Sequence, residues 1–280
     1  MGIVADIMTK RVITCTPKDT LLKLQKLMLK HRIDRVVVTE IEKPVGIITQ
    51  KDIVSFLLAD MSKRGIEKIS TKEVMSRNLF TVKPTATIPD AAKTMIQSKI
   101  SSLVVVDDDG ELKGIVTKAD ISYYFASKGA GIYSVHDLMT PNPITVRQSQ
   151  SIFLAVALMS ENKISRIVVI DEENEPVGII TLTDVTIISS LLKPAKAMRA
   201  KKPVFLKGIL FPPKGIHLIT AKDFMTADPI TVNKDADLAD AAKLMTKNGV
   251  SGLPVTNSSG KLVGIVTKSD LTKAVASLKK

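Results

Sequence analysis

The chain repeats one short sequence pattern four times, and this repetition constrains the fold more than any other feature. Each copy starts with an acidic-apolar-Met-Thr/Ser segment, here called the Met segment. The Met segments contain Met8, Met75, Met139 and Met225. Each is followed by a Gly-apolar-apolar-Thr-x-x-Asp segment, here called the Gly segment. The Gly segments begin at Gly46, Gly114, Gly178 and Gly264. The spacing from Met to Gly is 38 residues in the first copy and 39 in the others, which indicates four copies of one structural unit.

Within each copy the apolar pattern predicts a strand, a helix, two strands and a second helix. In the first copy a short strand at Ile13–Cys15 precedes apolar residues at helical spacing, Leu21, Leu24 and Met28. In the second copy two β-branched runs follow, separated by polar turn residues. The predicted fold class is mixed α/β (α+β), with four tandem βαββα repeats. A unit of about 60 residues buries too little surface to be stable alone, so we expect two pairs of repeats.

These repeats divide the chain into four units and one link. The predicted boundaries are 1-66, 67-130, 131-192 and 218-280 for repeats one to four, with the link at 193-217. From position 189 to 222 the chain carries eight basic side chains and no acidic one, and four prolines argue against one continuous helix. Such a run is usually a solvated face, and lysine enrichment also accompanies high growth temperature. The alternative is an arm that meets nucleic acid, an acidic protein or ligand phosphates, with Phe205 and Phe211 as apolar anchors.

The composition limits which classes of partner, which metal sites and which compartment are expected for the chain. The net charge of +12 favours an anionic partner, which could be nucleic acid, a membrane surface or a phosphorylated small molecule. A single cysteine excludes an internal disulfide, and three scattered histidines lack partners at metal-ligand spacing, so no metal site is predicted. No apolar run approaches the roughly 20 residues that cross a bilayer, and no signal-peptide pattern is visible. The expected compartment is the cytoplasm, with no membrane partner.

The βαββα order and the four Gly segments in register resemble the CBS domain, named after cystathionine β-synthase. The resemblance covers nearly the whole chain except the basic link. CBS domains pair into Bateman modules, and a chain with four of them is similar in organisation to the gamma subunit of AMP-activated protein kinase. The resemblance implies binding of AMP, ADP or ATP, and in some members S-adenosylmethionine, in clefts between paired repeats. It implies no required cofactor and no catalysis.

The chemistry of the Gly segment suits a nucleotide. Thr49 is predicted to cap a helix whose third residue is Asp52, and free backbone N–H groups at such an end favour phosphate. A carboxylate there can accept hydrogen bonds from two ribose hydroxyls. The glycine is expected to let a ligand approach the backbone closely. The same Thr-x-x-Asp pattern is also a capping box that needs no ligand, so this alternative stays open.

Differences between repeats rank four candidate sites. In the family, a nucleotide held by one repeat's Thr and Asp is also lined by the paired repeat's first strand and by the residues before its second strand. The two stronger sites combine a lysine in the Gly segment with an arginine from the paired repeat, which suits phosphate. Their residues are Thr117, Lys118, Asp120, Ile13 and Arg35 for repeat two, and Thr267, Lys268, Asp270, Ile144, Ser165 and Arg166 for repeat four. The weaker sites would use Thr49, Asp52, Phe80, Ser101 and Ser102, or Thr181, Asp184, Ile230, Ser251 and Gly252. Asp34, beside Arg35, would oppose a phosphate.

Three other features are interpreted as structural. One methionine recurs at an equivalent helix position in every repeat and is expected in the core. These residues are Met28, Met95, Met159 and Met245. Cys15 stands where the other repeats have valine, which favours a buried thiol over a nucleophile. The run Asp107–Gly110 lies on a hairpin connection and is expected to serve the turn, although a magnesium site is the alternative.

The sequence therefore predicts a non-catalytic regulator that binds adenine nucleotides and acts on a protein it does not identify. No paired base and nucleophile, metal cluster or Walker-type phosphate loop points to an enzyme. The alternative is a nucleic-acid-binding regulator that uses the basic link under nucleotide control. The physiological ligand, the number of occupied sites and homodimer formation stay open.

Overall fold

A computed structural model of the chain describes residues 2–59, 64–181, 184, 204–206, 209–211 and 219–278. The chain divides into two compact units, the first comprising Met1–Ala130 with Lys268–Lys280 and the second comprising Gly131–Thr267. The first unit thus holds repeats one and two and the last helix of repeat four. Most of the basic link lies outside the described residues, so both interpretations of it stay predictions.

Repeats one and two have the predicted βαββα order, with a short helix added in each Met segment. Their elements are α1 (Val4–Ile7), β1 (Thr14–Cys15), α2 (Leu21–His31), β2 (Arg35–Glu40), β3 (Lys43–Thr49), α3 (Gln50–Ala59), α4 (Thr71–Val74), β4 (Thr81–Val82), α5 (Ile88–Gln97), β5 (Ser102–Val106), β6 (Leu112–Thr117) and α6 (Lys118–Lys128), with a 3₁₀ turn at Ile66–Lys68. In each sheet the first strand is parallel to the second, and the second is antiparallel to the third. Thr20 and Thr87 cap α2 and α5 through their side-chain oxygens.

The described residues of the second unit repeat the order of a strand, a helix and two strands in both of its repeats. Its elements are α7 (Val135–Leu138), β7 (Thr140–Pro141), β8 (Thr145–Arg147), α8 (Ile152–Glu161), β9 (Arg166–Ile170), β10 (Pro176–Thr181), β11 (Val204–Leu206), β12 (Ile209–Phe211), β13 (Thr226–Ala227), β14 (Val232–Asn233), α9 (Leu238–Lys247), β15 (Gly252–Thr256) and β16 (Leu262–Thr267), with a 3₁₀ turn at Ala221–Asp223. Within the link, β11 and β12 pair in antiparallel fashion. The last helix of repeat four, α10 (Lys268–Ala276), packs against α5 and α6 in the first unit.

The sheets of paired repeats share buried side chains within each unit. In the first unit Val37 of repeat one packs with Val104 and Ile115 of repeat two. In the second unit Val168 of repeat three packs with Leu262 of repeat four. Because β2 is covered on both faces, its valines are buried in succession instead of alternating with polar residues. The expected pairing of one with two and three with four is therefore observed.

The Met segment of each repeat adds to the third strand of the paired repeat. Thr9 bridges Ile115, and Ser76 bridges Ile47, in antiparallel fashion. In the second unit β7 pairs with β16, and β13 pairs with β10, in the same way. Each repeat thus supplies a short strand to its partner's sheet.

This exchange explains the glycine of each Gly segment. A Cβ atom on Gly114 would lie 2.7 Å from Sδ of Met8, and one on Gly46 would lie 2.7 Å from Sδ of Met75. In the second unit the same crowding pairs Gly264 with Met139 and Gly178 with Met225. Space that we expected a ligand to use is therefore filled by the paired repeat's methionine. The two sequence signatures of the repeat are the two halves of one contact.

The features interpreted as structural are confirmed. The recurrent helix methionines are 0–4% exposed. Cys15 is 4% exposed, and burial raises the pKa of its thiol to about 11 although a hydrogen bond from Thr71 acts in the opposite direction. In the hairpin, Oδ1 of Asp107 accepts hydrogen bonds from the backbone N–H groups of Asp109 and Glu111, and Gly110 has φ +78°. This is turn chemistry of the kind expected.

Candidate functional site

The Thr and Asp side chains of the Gly segments form capping boxes. Three such boxes join Thr49 with Asp52, Thr117 with Asp120, and Thr181 with Asp184. In each box a single oxygen, Oδ2, accepts from both the threonine N–H and its hydroxyl at 2.7–2.8 Å. The capping interpretation is therefore correct for these repeats. It leaves Oδ1 of each carboxylate outside the box, where it can meet another donor.

Arg35 connects the two repeats of the first unit. It begins β2 in register with Thr49, and its Nη1 donates to Oγ of Ser101 in repeat two at 3.0 Å. The next residue, Ser102, is in register with Thr117. The guanidinium therefore lies beside the capping box of the paired repeat. Its side chain is only 14% exposed.

The charge of Arg35 reaches the carboxylate of that box. Burial raises the pKa of Asp120, while the Thr117 hydrogen bonds and the positive charge of Arg35 oppose the rise. A carboxylate that is poorly hydrated gains more from a hydrogen-bonding ligand than one that is fully solvated. A new hydrogen-bond donor would therefore stabilise the Asp120 carboxylate more than it would stabilise a fully solvated one.

The structure adds a neighbour that the sequence did not indicate. Lys118 donates from Nζ to Oγ of Ser269, in the first turn of α10, at 3.0 Å. Burial lowers the pKa of Lys118, with Asp270 opposing this effect and Lys273 and Arg35 reinforcing it. The residues at the start of α10 therefore lie at the repeat-two box. A hydrogen bond between positions 118 and 269 leaves no signal in local sequence.

Repeat four is divided by the boundary between the units. Thr267 ends β16 in the second unit, whereas Lys268 and Asp270 belong to the first. Asp270 is 3% exposed and accepts a hydrogen bond from Nζ of Lys273 at 2.8 Å.

Arg166 has the same arrangement in the second unit as Arg35 in the first. Its Nη2 donates to Oγ of Ser251 at 2.9 Å, and a Cβ on Gly252 would collide with Nη1. Gly252 is in register with Thr267, so the guanidinium lies beside the Gly segment of repeat four. Glycine at 252 thus makes room for the arginine. Ser101 and Ser251, which are predicted to line the weaker sites, each accept a hydrogen bond from one of the two arginines.

The apolar residues that precede the first strands are all partly exposed. These residues are Ile13, Phe80, Ile144 and Ile230. Phe80 is 42% exposed, while its carbonyl accepts a hydrogen bond from the N–H of Val104. Such side chains offer an apolar surface to a planar ring.

Among the residues that the structure describes, no group of three or more His, Cys, Asp and Glu side chains is arranged to hold a metal ion. No helix in the described ranges has the length and apolar character needed to cross a bilayer.

Comparison with known domain families matches the CBS domain at residues 4–59, 72–127, 135–189 and 221–277. The uncharacterized protein MJ1404 of Methanocaldococcus jannaschii is 34% identical over 285 residues, which cover 99% of this chain and 62% of that protein. The chain therefore spans less than two thirds of this relative. Protein MJ1225 of the same organism is 26% identical over 280 residues, covering 95% of this chain and 96% of MJ1225.

Solved structures show the same architecture over nearly the full length. The crystal structure of MJ1225, proposed as an archaeal homologue of γ-AMPK, has a TM-score of 0.77 and 25% identity, covering 98% of this chain and 99% of that one. A conserved protein from Pyrococcus horikoshii has a TM-score of 0.68 and 22% identity, covering 98% of this chain and all of that one, and so supports the fold alone. With four domain matches and the observed repeat pairing, the chain belongs to the CBS-domain family.

Proposed function

We propose that the chain is a non-catalytic regulatory protein that binds adenine nucleotides beside the Gly segments of its paired repeats. One observation carries the proposal. In each unit an arginine from the first repeat of the pair, Arg35 or Arg166, reaches the start of the second strand in the other repeat. A binding group from one repeat is thereby brought to the Thr of the other. A helix cap alone does not require this.

The chemistry of the ligand follows from the residues. The threonine hydroxyl and the aspartate Oδ1 suit the ribose hydroxyls, and the partly exposed apolar residues before the first strands suit the base. In the second unit Arg166, held by Ser251 and by the space at Gly252, suits a phosphate through its planar fork. Because Lys268 and Asp270 belong to the first unit, the proposal for repeat four rests on Thr267 and Arg166, which both belong to the second.

Regulation requires that the ligand favours one arrangement of the protein over another. The similarity to MJ1225, proposed as a γ-AMPK homologue, supports a role in reporting adenine-nucleotide levels to a protein partner. We propose that this partner is a separate protein and that the chain performs no chemistry on the nucleotide.

Isothermal titration of the full chain with AMP, ADP, ATP and S-adenosylmethionine tests the proposal. ATP or AMP should bind, and Arg166→Gln should weaken ATP binding by tenfold or more because it removes a charge-assisted phosphate contact. Arg147→Gln is the matched control, since Arg147 lies in the same unit and pairs with Glu172 at 2.5 Å. If none of the four ligands binds at millimolar concentration, the proposed function is wrong.

A further inference from the structure

The two arginines that reach the Gly segments have different neighbours. Arg35 follows Asp34, whereas Arg166 follows Ser165. Asp34 grips the guanidinium as a fork, with Nε to Oδ1 at 2.8 Å and Nη2 to Oδ2 at 2.8 Å. Serine at position 165 has no charge with which to form such an ion pair.

The ion pair occupies the Nε–Nη2 edge of Arg35, one of the two edges through which a guanidinium can bind a phosphate. A guanidinium binds carboxylate and phosphate through the same two parallel N–H bonds. With the Nε–Nη2 edge on Asp34 and Nη1 on Ser101, each of the three nitrogens already donates. A phosphate must displace Asp34 or lie beside its charge.

Asp34 carries that charge throughout the neutral range. Partial desolvation acts to raise the pKa of Asp34, but its hydrogen bonds with Arg35 and the nearby charges of Arg35 and Lys268 hold it below the usual value. The carboxyl is nevertheless 62% exposed, so it faces an approaching ligand.

The surrounding lysines do not leave a large excess of positive charge. Among the residues that the structure describes, Asp34, Lys118 and Asp120 and the charged side chains that shift their pKa values are four cations and three carboxylates. They are Arg35, Lys118, Lys268 and Lys273, and Asp34, Asp120 and Asp270. Two of the lysines are also engaged, Lys118 with Ser269 and Lys273 with Asp270. The net formal charge of this group is +1, and loss of Asp34 would make it +2.

We infer that the repeat-two site takes adenosine ligands that carry no phosphate on the 5′ carbon, and that Asp34 is the residue that disfavours the phosphate. This inference rests on the proposed adenosine binding and assigns a different class of ligand to each unit. Asp120 binds the ribose of an uncharged nucleoside in the first unit, while phosphorylated nucleotides bind in the second. Repeat two then responds to a different adenosine compound from repeat four.

The test uses isothermal titration of the full chain with adenosine and with ATP at one ionic strength. Binding heat that is present in the unmodified chain and absent from the Asp120→Asn variant is assigned to the repeat-two site. Asp137→Asn is its control, because Asp137 closes a similar box with Ser134 N–H at 2.7 Å outside the site. Should Asp120→Asn lose its fold, Asp120→Glu retains the charge and displaces the carboxylate by one methylene.

Asp34→Ser then reproduces the residue found at position 165. It should tighten Asp120-dependent ATP binding about tenfold or more and change adenosine binding less than twofold, since only the phosphate meets Asp34. Asp109→Ser, in the exposed hairpin that precedes β6, removes the same charge at the opposite end of that strand and should change neither. The reverse variant Ser165→Asp should weaken ATP binding in the second unit.

Two results overturn the inference while the proposed function stands. One is Asp120-dependent ATP binding in the unmodified chain that is as tight as adenosine binding. The other is an Asp34→Ser variant whose ATP affinity is unchanged. Absence of binding by any adenosine compound would instead remove the proposed function itself, and the inference with it.

Discussion

Replacement of Gly114 by alanine measures how tightly the Met segment is seated on its partner. The added Cβ would lie 2.7 Å from Sδ of Met8 and 3.0 Å from the carbonyl oxygen of Thr9. The Thr9 carbonyl cannot move freely, because it accepts from Ile115 N–H at 3.0 Å while Thr9 N–H donates to the Ile115 carbonyl at 2.9 Å. Overpacking of this kind costs about 1–3 kcal/mol, and weakening one backbone hydrogen bond adds roughly 1 kcal/mol. We expect Gly114→Ala to destabilise the chain by about 2–4 kcal/mol.

Gly46→Ala is the matched comparison. The three atoms nearest to its Cβ would all belong to the side chain of Met75, which has flexible rotamers, so we expect a loss of about 1 kcal/mol. In a Met75→Ala background the Gly46→Ala change should cost less, since Sδ and Cγ are removed and only Cβ of residue 75 remains of the three nearest atoms, at 3.2 Å. Met8→Ala should relieve Gly114→Ala only in part, since the Thr9 carbonyl remains.

Thermal unfolding followed by circular dichroism gives the measurement. A loss of 1 kcal/mol lowers the midpoint by about 2–4 °C in a unit of this size, so Gly114→Ala should lie several degrees below Gly46→Ala. Equal midpoints for the two variants would refute the reasoning, because they would mean that the backbone contact at Thr9 has no effect. Full relief of Gly114→Ala by Met8→Ala would refute it as well.

Two further predictions follow from the pKa shifts. With the pKa of Cys15 raised to about 11, its thiol should react with a disulfide reagent at pH 8 far more slowly in the folded chain than in urea; equal rates would show that the thiol is not buried. The Asp34–Arg35 ion pair lowers the pKa of Asp34 in the folded state, so its stabilisation is present above the unfolded pKa of about 3.9 and is lost as the pH falls through the folded value. Asp34→Asn should therefore lower the unfolding midpoint more at pH 7 than at pH 3, and a constant difference between the two pH values would contradict this.

Much of the fold was predictable because it follows from local periodicity. The βαββα order came from apolar spacing, and the threonine caps came from residues adjacent in sequence. The pairing of repeats also followed, since a unit this small cannot bury enough surface alone. The recurrence of the Met segment and the Gly segment is visible in the sequence as well. The contact between Met8 and Gly114, however, joins positions more than 100 residues apart. Two matching signatures do not reveal that they touch each other.

The candidate site was predictable in part for the same reason. Arg35 was expected beside the repeat-two box because the repeats align, and it lies there. Asp34 and Arg35 are adjacent, so their opposite charges are visible in the sequence. The sequence does not show which edge of the guanidinium the carboxylate binds. The approach of Ser269 to Lys118 depends on how α10 packs on α5 and α6, which no repeat-by-repeat comparison contains.

Because paired repeats exchange Met segments, the smallest unit that can be duplicated or deleted while leaving every sheet complete is a pair of repeats. A lone repeat would leave the outer edge of its third strand uncovered, and an uncovered edge invites pairing with other chains. A duplication of two consecutive repeats carries both halves of each contact and yields closed sheets at once. Growth of such a chain from two repeats to four is therefore favoured in steps of two. A change at a Met-segment position has to be accommodated by the glycine of the neighbouring repeat, so the two repeats of a pair are expected to diverge together.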